Sequence, residues 1–283
     1  MRQDATYSTQ DLCEALNVSR SGFYAHGLKC QRPRRSQDRL LAAEVATSFA
    51  RSRQTYGTPR LRHELRSQGH HVGRRRIGRL MRQQKLLVRQ KRRFVPRTTQ
   101  ANSQAVAAPQ RFKESSSLEG LNQVWVTDIT YIPTKEGWLY VAAEMDRFSR
   151  RILGWAAADH LRTSLPLGAL HKALQSRPKL PLELLHHSDR GCQYSSIEFR
   201  QQLDELGIDQ SMSRKGNCYD NAAAESFWAT LKTECFGGLI PNTRAQAKSM
   251  IFDYIETFYN PVRRHSALGY LSPVDFENLH LQN

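Results

Sequence analysis

The sequence predicts an α/β domain, a mixed five-stranded sheet with helices on both faces, preceded by an all-α helix-turn-helix region. Three observations lead there. The formal net charge of +16 is confined to the front: residues 1–120 hold 25 Lys+Arg against 8 Asp+Glu, and residues 121–283 hold 17 against 18. The front is written in short amphipathic helices separated by turn residues. From residue 122 β-branched and aromatic runs take over, three joined by short turns and two more separated by helical stretches.

The chain is long enough to bury a sizeable core, and with 39% apolar and 24% charged residues it belongs with globular proteins. Its five cysteines, at 13, 30, 192, 218 and 235, form no CxxC pair; such a set suggests reduced thiols and a cytosolic setting. Neither a signal-peptide core nor an apolar run long enough for a membrane span is present, so no membrane partner is expected. A basic front on a charge-balanced back is the pattern of a nucleic-acid binder joined to an enzyme-like body; the alternative is a solvated surface that aids solubility.

Residues 1–55 form the first expected region. Within it 8–26 read as helix, turn, helix: Leu12, Ala15 and Leu16 at helical spacing, Asn17 and Val18 in the turn, Ser19 as N-cap, then a helix from Arg20 burying Phe23 and Tyr24. If this is a DNA-reading unit, Arg20 and Ser21 meet base edges; otherwise it is an ordinary helical hairpin. Residues 33–52 read as an amphipathic helix with Leu40, Leu41, Val45 and Phe49 on its apolar face. Residues 56–94 form a second helix-turn-helix-like basic domain. Pro59 suits a helix start, Leu61 and Leu65 share a face, Gly69 ends that helix, and the next buries Ile77, Leu80 and Met81. That last helix presents Arg74, Arg75, Arg76, Arg79 and Arg82, suited to phosphate contact, which positions a protein without reading sequence. His63, His70 and His71 lack metal-ligand partners and read as surface or turn residues. Residues 95–118, rich in Ser, Thr, Gln and Pro, read as a flexible linker open to proteolysis.

Residues 119–236 form the expected catalytic core and 237–283 a helical extension. Strands are expected at 123–132, 138–146 and 152–159, an antiparallel meander with turns at 135–137 and 147–151. A helix over 164–176, a strand ending at Asp189, a helix over 196–207, a short strand over 208–213 and a helix over 220–234 follow, which implies parallel pairing for the later strands. Asp220 is placed to cap the last of these helices. An amphipathic helix over about 243–259 and a short helix begun by Ser272 and Pro273 close the chain.

Three carboxylates stand out. Asp128 interrupts an apolar strand between Val126 and Ile129, where a charge is costly unless paired or metal-bound. Asp189 ends a strand before Gly191, where Asp also serves as a turn former. Glu225 lies near the start of a helix, where it could be a plain surface residue, and Lys232 follows two turns on. Asp146 and Asp220 are rivals with simpler roles, in a turn and as a cap. Together Asp128, Asp189 and Glu225 suit a pair of Mg²⁺ ions, since Mg²⁺ prefers oxygen ligands and needs only one or two carboxylates each, and two such ions roughly 3.5–4 Å apart promote attack on phosphodiesters.

WVTDITYI, HSDRGCQY and KGNCYDNAAAESFWATLKTE resemble the three motifs of DDE transposases of the IS-three family of bacterial insertion sequences, and the 35 residues between Asp189 and Glu225 match that family's spacing. NPVRRHSALGYLSP is similar to the family's closing segment and YGTPRLRHEL to its upstream helical domain. The resemblance implies a ribonuclease-H-like core shared with retroviral integrases. It implies a polynucleotidyl transferase that cuts and joins DNA with two Mg²⁺ ions (Mn²⁺ as substitute) on Asp128, Asp189 and Glu225, and Lys232 as a contact to the element's terminal DNA. The implied partners are double-stranded DNA at element ends and target, further copies of the chain on that DNA, and an upstream-frame protein with helix-turn-helix and leucine zipper; the implied location is the bacterial cytoplasm and nucleoid. No heptad repeat is visible, so the chain resembles the downstream-frame product alone. A DNA-binding regulator, silent without its upstream fusion partner, is the alternative, and a simple nuclease a third reading.

Overall fold

The computed structural model of the chain describes residues 7–30, 33–88, 118–181, 183–213 and 221–282, with backbone only at 27–30 and 33–35. Two compact units divide it, Met1–Val88 and Arg89–Asn283. The expected linker over 95–118 lies outside the described residues except for its last one, as does the expected cap Asp220.

In the first unit, α1 (Thr9–Ala15) and α2 (Arg20–Cys30) form the expected hairpin. Ser8 and Asp11 close a reciprocal capping box on α1. Asn17 takes the left-handed conformation the turn requires, at φ 49°, and the Ser19 hydroxyl accepts the Gly22 N–H at 3.1 Å, capping α2. The expected burial of Phe23 and Tyr24 does not occur: they are 51% and 53% exposed, and Leu12 and Leu16 are also exposed. Helical spacing says which side chains share a face, but only packing by another element can cover that face. Cys13 is the buried side chain of this hairpin among the described residues.

Helices α3 (Pro33–Arg51), α4 (Thr58–Ser67) and α5 (Arg74–Gln83) pack pairwise. Leu41, Val45, Phe49, Leu61, Leu65, Ile77, Leu80 and Met81 make their shared core, joined by Tyr56. Leu40 is a correction: it is exposed, because the buried stripe of α3 runs through Leu41, Val45, Ser48, Phe49 and Ser52, and Leu40 lies off it. Gly69, at φ 85°, ends α4 as expected.

In the second unit, β1 (Val124–Thr134), β2 (Gly137–Asp146) and β3 (Ile152–Ala158) pair antiparallel; β4 (Leu185–Ser188) lies parallel to β1 and β5 (Asp209–Met212) parallel to β4. The strand order is β3-β2-β1-β4-β5. This is the expected mixed five-stranded sheet, with β1 at its centre. Helices α6 (Ser164–Ser176) and α7 (Ile197–Glu205) complete a core of Trp125, Leu153, Leu167, Leu170, Tyr194, Phe199 and Leu203. Gly154 lets α6 approach β3 closely: a Cβ there would lie 2.3 Å from the Ala169 carbonyl oxygen and from the Ala173 nitrogen.

Helix α8 (Ala222–Leu231) packs on β1, and α9 (Arg244–Phe252) on β1 and β2. Both were expected as longer uniform helices. Instead α8 widens into a π-helical turn over Lys232–Phe236, and α9 into another over Asp253–Tyr259. Hydrophobic periodicity cannot separate these from α-helix over so few residues. The two turns are fastened by Glu234, which accepts from Arg263 Nε and Nη2 at 2.7 Å each and from the Tyr254 hydroxyl at 2.8 Å. Ser272 caps α10 (Pro273–Leu281) as expected.

Candidate active site

Strand order sets the two aspartates side by side. Asp128 stands in central β1, and Asp189 follows the last residue of β4, its parallel neighbour. The pairing Val126 with His187, continued two residues, sets Asp128 beside Asp189. Helix α8 lies on β1, and the charges of Glu225 on it and Lys232 just after it both act on Asp128.

Each aspartate has a local hold. The Asp128 Oδ1 accepts the Ile129 N–H at 2.8 Å. The Asp189 Oδ1 accepts the Gly191 N–H at 2.9 Å, so its turn-forming role and its place in the site coexist. A Cβ at residue 191 would lie 3.0 Å from that same oxygen. Neighbouring Arg190 donates from Nε to the Ser213 carbonyl at 2.8 Å.

Electrostatics ties the group together. Burial, then the charge of Asp189, then that of Glu225 push the Asp128 carboxyl up to about 8, against the Ile129 N–H and Lys232. Burial raises Asp189, opposed by the Gly191 N–H, and burial raises Glu225. Burial lowers the Lys232 ammonium while the Asp128 charge raises it. Three acids against one lysine is a surplus of negative charge that divalent cations would relieve, and the donor set is all oxygen, which suits Mg²⁺. Asp189 acts on Asp128 more strongly than Glu225 does. Among the described residues, no three His, Cys, Asp or Glu side chains converge tightly enough to enclose one ion as they stand.

The supporting residues escaped the sequence reading. The Asn221 Nδ2 donates to the Thr127 carbonyl at 2.9 Å, pinning the start of α8 to β1 one residue before Asp128. The Thr127 hydroxyl lies 3.1 Å from the Tyr194 hydroxyl, and both are buried. All three fall inside the motifs VTD, QY and DNAAAE, so position within a motif was the available signal. Asp146 is the turn former expected of it: fully buried, it accepts the Asn122 and Ser149 N–H groups at 2.6 Å each.

The expected DNA-contacting arginines divide. Arg20, Arg74 and Arg75 are exposed. Arg76 Nε and Arg79 Nη2 instead donate to the two oxygens of Asp38, at 2.7 Å each, and those bonds, Arg79 first, hold the Asp38 carboxyl below its usual range. The fan of free arginines on α5 is therefore narrower than the sequence suggested.

Sheet order and family models agree on the class: this is an integrase-core protein. Models described as "Integrase core domain" match residues 119–218 and 206–273, and one described as "HTH-like domain" matches 35–94. The chain is 42% identical to the insertion element IS600 uncharacterized 31 kDa protein of Shigella sonnei, over 96% of this chain and 99% of that one. It is 39% identical to the transposase InsF for insertion sequence IS3A of Escherichia coli K12, over 99% and 97%. The chain belongs to the IS3 family of insertion-sequence transposases. More distant is the HTLV-2 integrase catalytic core domain in complex with magnesium, 15% identical over 55% of this chain and 96% of that one, with a TM-score of 0.44. The simian T-cell lymphotropic virus intasome in complex with PP2A regulatory subunit B56 gamma gives 17% identity, 62% and 60% coverage and a TM-score of 0.47.

Proposed function

We propose that the chain cleaves DNA at the ends of an insertion sequence and joins the freed ends to new DNA, as a DDE polynucleotidyl transferase. In the first step water attacks phosphorus and the P–O3′ bond breaks, leaving a 3′-OH. In the second that 3′-OH attacks another phosphodiester, and the displaced 3′ oxygen takes up a proton. Asp128, Asp189 and Glu225 would hold two Mg²⁺ ions, or Mn²⁺ in their place. Such ions supply activation of the attacking oxygen and stabilisation of the leaving one. The protein's own work is positioning: β1 and β4 fix the aspartates, the Asn221 bond aligns α8, and Lys232 offers a point charge to a DNA phosphate. The observation that carries this reading is the charge coupling of Asp128 with Asp189, Glu225 and Lys232, which come from three separate stretches of sequence.

The first unit would add sequence-independent grip through Arg74 and Arg75, with Arg76 and Arg79 contributing only if they leave Asp38, and Arg20 would meet base edges. Copies of the chain would pair the two element ends. Among the described residues no helix is long and apolar enough to cross a membrane, and action on bacterial DNA would put the chain at the nucleoid.

Asp128→Asn, Asp189→Asn or Glu225→Gln should abolish strand cleavage while leaving DNA binding within a few fold of wild type; cleavage at normal rate by any of them removes that residue from the site. One observation favours the regulator reading: the three carboxylates do not converge as they stand. Assaying the chain with and without the upstream-frame protein separates the two. Tight, salt-sensitive binding with no Mg²⁺-dependent product from the chain alone leaves a regulator; cutting without joining leaves a nuclease.

A further inference from the structure

We propose that Tyr131 and Trp138 form a stacking platform for an unpaired nucleobase of the strand held at the carboxylate site. The inference rests on the transposase reading above and adds a contact for the base to one already assigned for the phosphate. Three observations carry it. The Lys232 Nζ lies over the Tyr131 ring, 4.7 Å from its centroid. Tyr131 in turn meets Trp138 edge-on, with ring centroids 4.9 Å apart and planes at 89°. Trp138 is 49% exposed beside the β1–β2 turn, where a large indole gains little from the core.

The surroundings suit a nucleic acid. Lys135 is exposed at the same turn. The acid of the turn, Glu136, is engaged: its carboxylate accepts the Arg244 N–H at the start of α9, at 2.8 Å. The Arg244 Nε donates to the Trp138 carbonyl at 3.0 Å, bracing the indole's backbone and adding another cation. A strand whose phosphate meets Lys232 therefore finds an aromatic surface next to it, and every base has a π-face to stack. Holding Lys232 in place requires the Tyr131 ring alone; it gives no reason for an exposed indole behind that ring.

The test uses the full chain in EDTA, where no cleavage occurs, and a duplex with a short unpaired 3′ tail carrying 5-iododeoxyuridine. Light-induced crosslinking should map to Trp138 or Tyr131, vanish in Trp138→Ala and persist in Trp138→Tyr. Trp138→Ala should weaken binding of the tailed duplex by about 5- to 100-fold with the salt dependence unchanged. Lys232→Ala should instead flatten the log–log salt slope by roughly 0.7–0.9. That split separates lost stacking from a displaced lysine. Crosslinks elsewhere, or wild-type affinity in Trp138→Ala, overturn the platform; if Mg²⁺-dependent cleavage still needs Asp128, the transposase reading stands without it. A wild-type chain that fails to bind the duplex overturns both.

Discussion

Asp128 is the residue on which the site's charge accumulates. Its carboxyl is raised to about 8, so without a bound cation the folded chain keeps a proton there that the unfolded chain releases near pH 4. The stability this contributes is full below about pH 4 and is lost as pH rises toward 8. Thermal melts in EDTA should fall across that range, and Asp128→Asn should flatten the fall. Cation binding must expel the proton, so Mg²⁺ affinity by calorimetry should rise by up to about tenfold per pH unit below 8 and level off above; affinity independent of pH would remove Asp128 as a ligand. Sequence could flag Asp128, since a carboxylate inside an apolar strand has to be explained. It gave no such warning for Asn221 or Thr127, whose roles arise from a hydrogen bond across 94 residues.

Among the elements, β3 and α6 depend on one missing methyl. Gly154→Ala drives a Cβ into the α6 backbone at 2.3 Å. Because backbone cannot swing aside as a side chain can, the cost should reach or exceed about 1–3 kcal/mol, read as a lower urea midpoint for the catalytic unit. The two π-helical turns depend on a buried ion pair. Burial works against the Arg263 cation, yet the hydrogen bonds and charge of Glu234 outweigh it and hold Arg263 well above its usual range. Arg263→Met would strand the Glu234 carboxylate and should destabilise by about 3–5 kcal/mol, with partial rescue by a second change, Glu234→Gln. The positions of all five strands and most helices were legible from alternation and turn residues. The π-helical turns and the exposure of Phe23, Tyr24 and Leu40 were not, since periodicity defines a face without saying what covers it.

For the molecule as a whole, the charge division makes a measurable difference between its ends. Proteolysis within 95–118 is expected to release a front fragment carrying most of the net charge of +16. Binding through about six phosphates should give that fragment a log–log salt slope near −5, while the back fragment should bind DNA weakly and retain the proposed Mg²⁺ site. A back fragment with the steeper slope would reverse this division. The sequence alone determined the order of strands and helices and the basic front, and singled out three carboxylates, because each is written in local composition or in a short motif. Tertiary structure alone decided that Asp128 and Asp189 stand side by side, that Asp38 claims Arg76 and Arg79, and that Lys232 rests on Tyr131. Those are contacts between residues distant in the chain, fixed by strand order and helix packing.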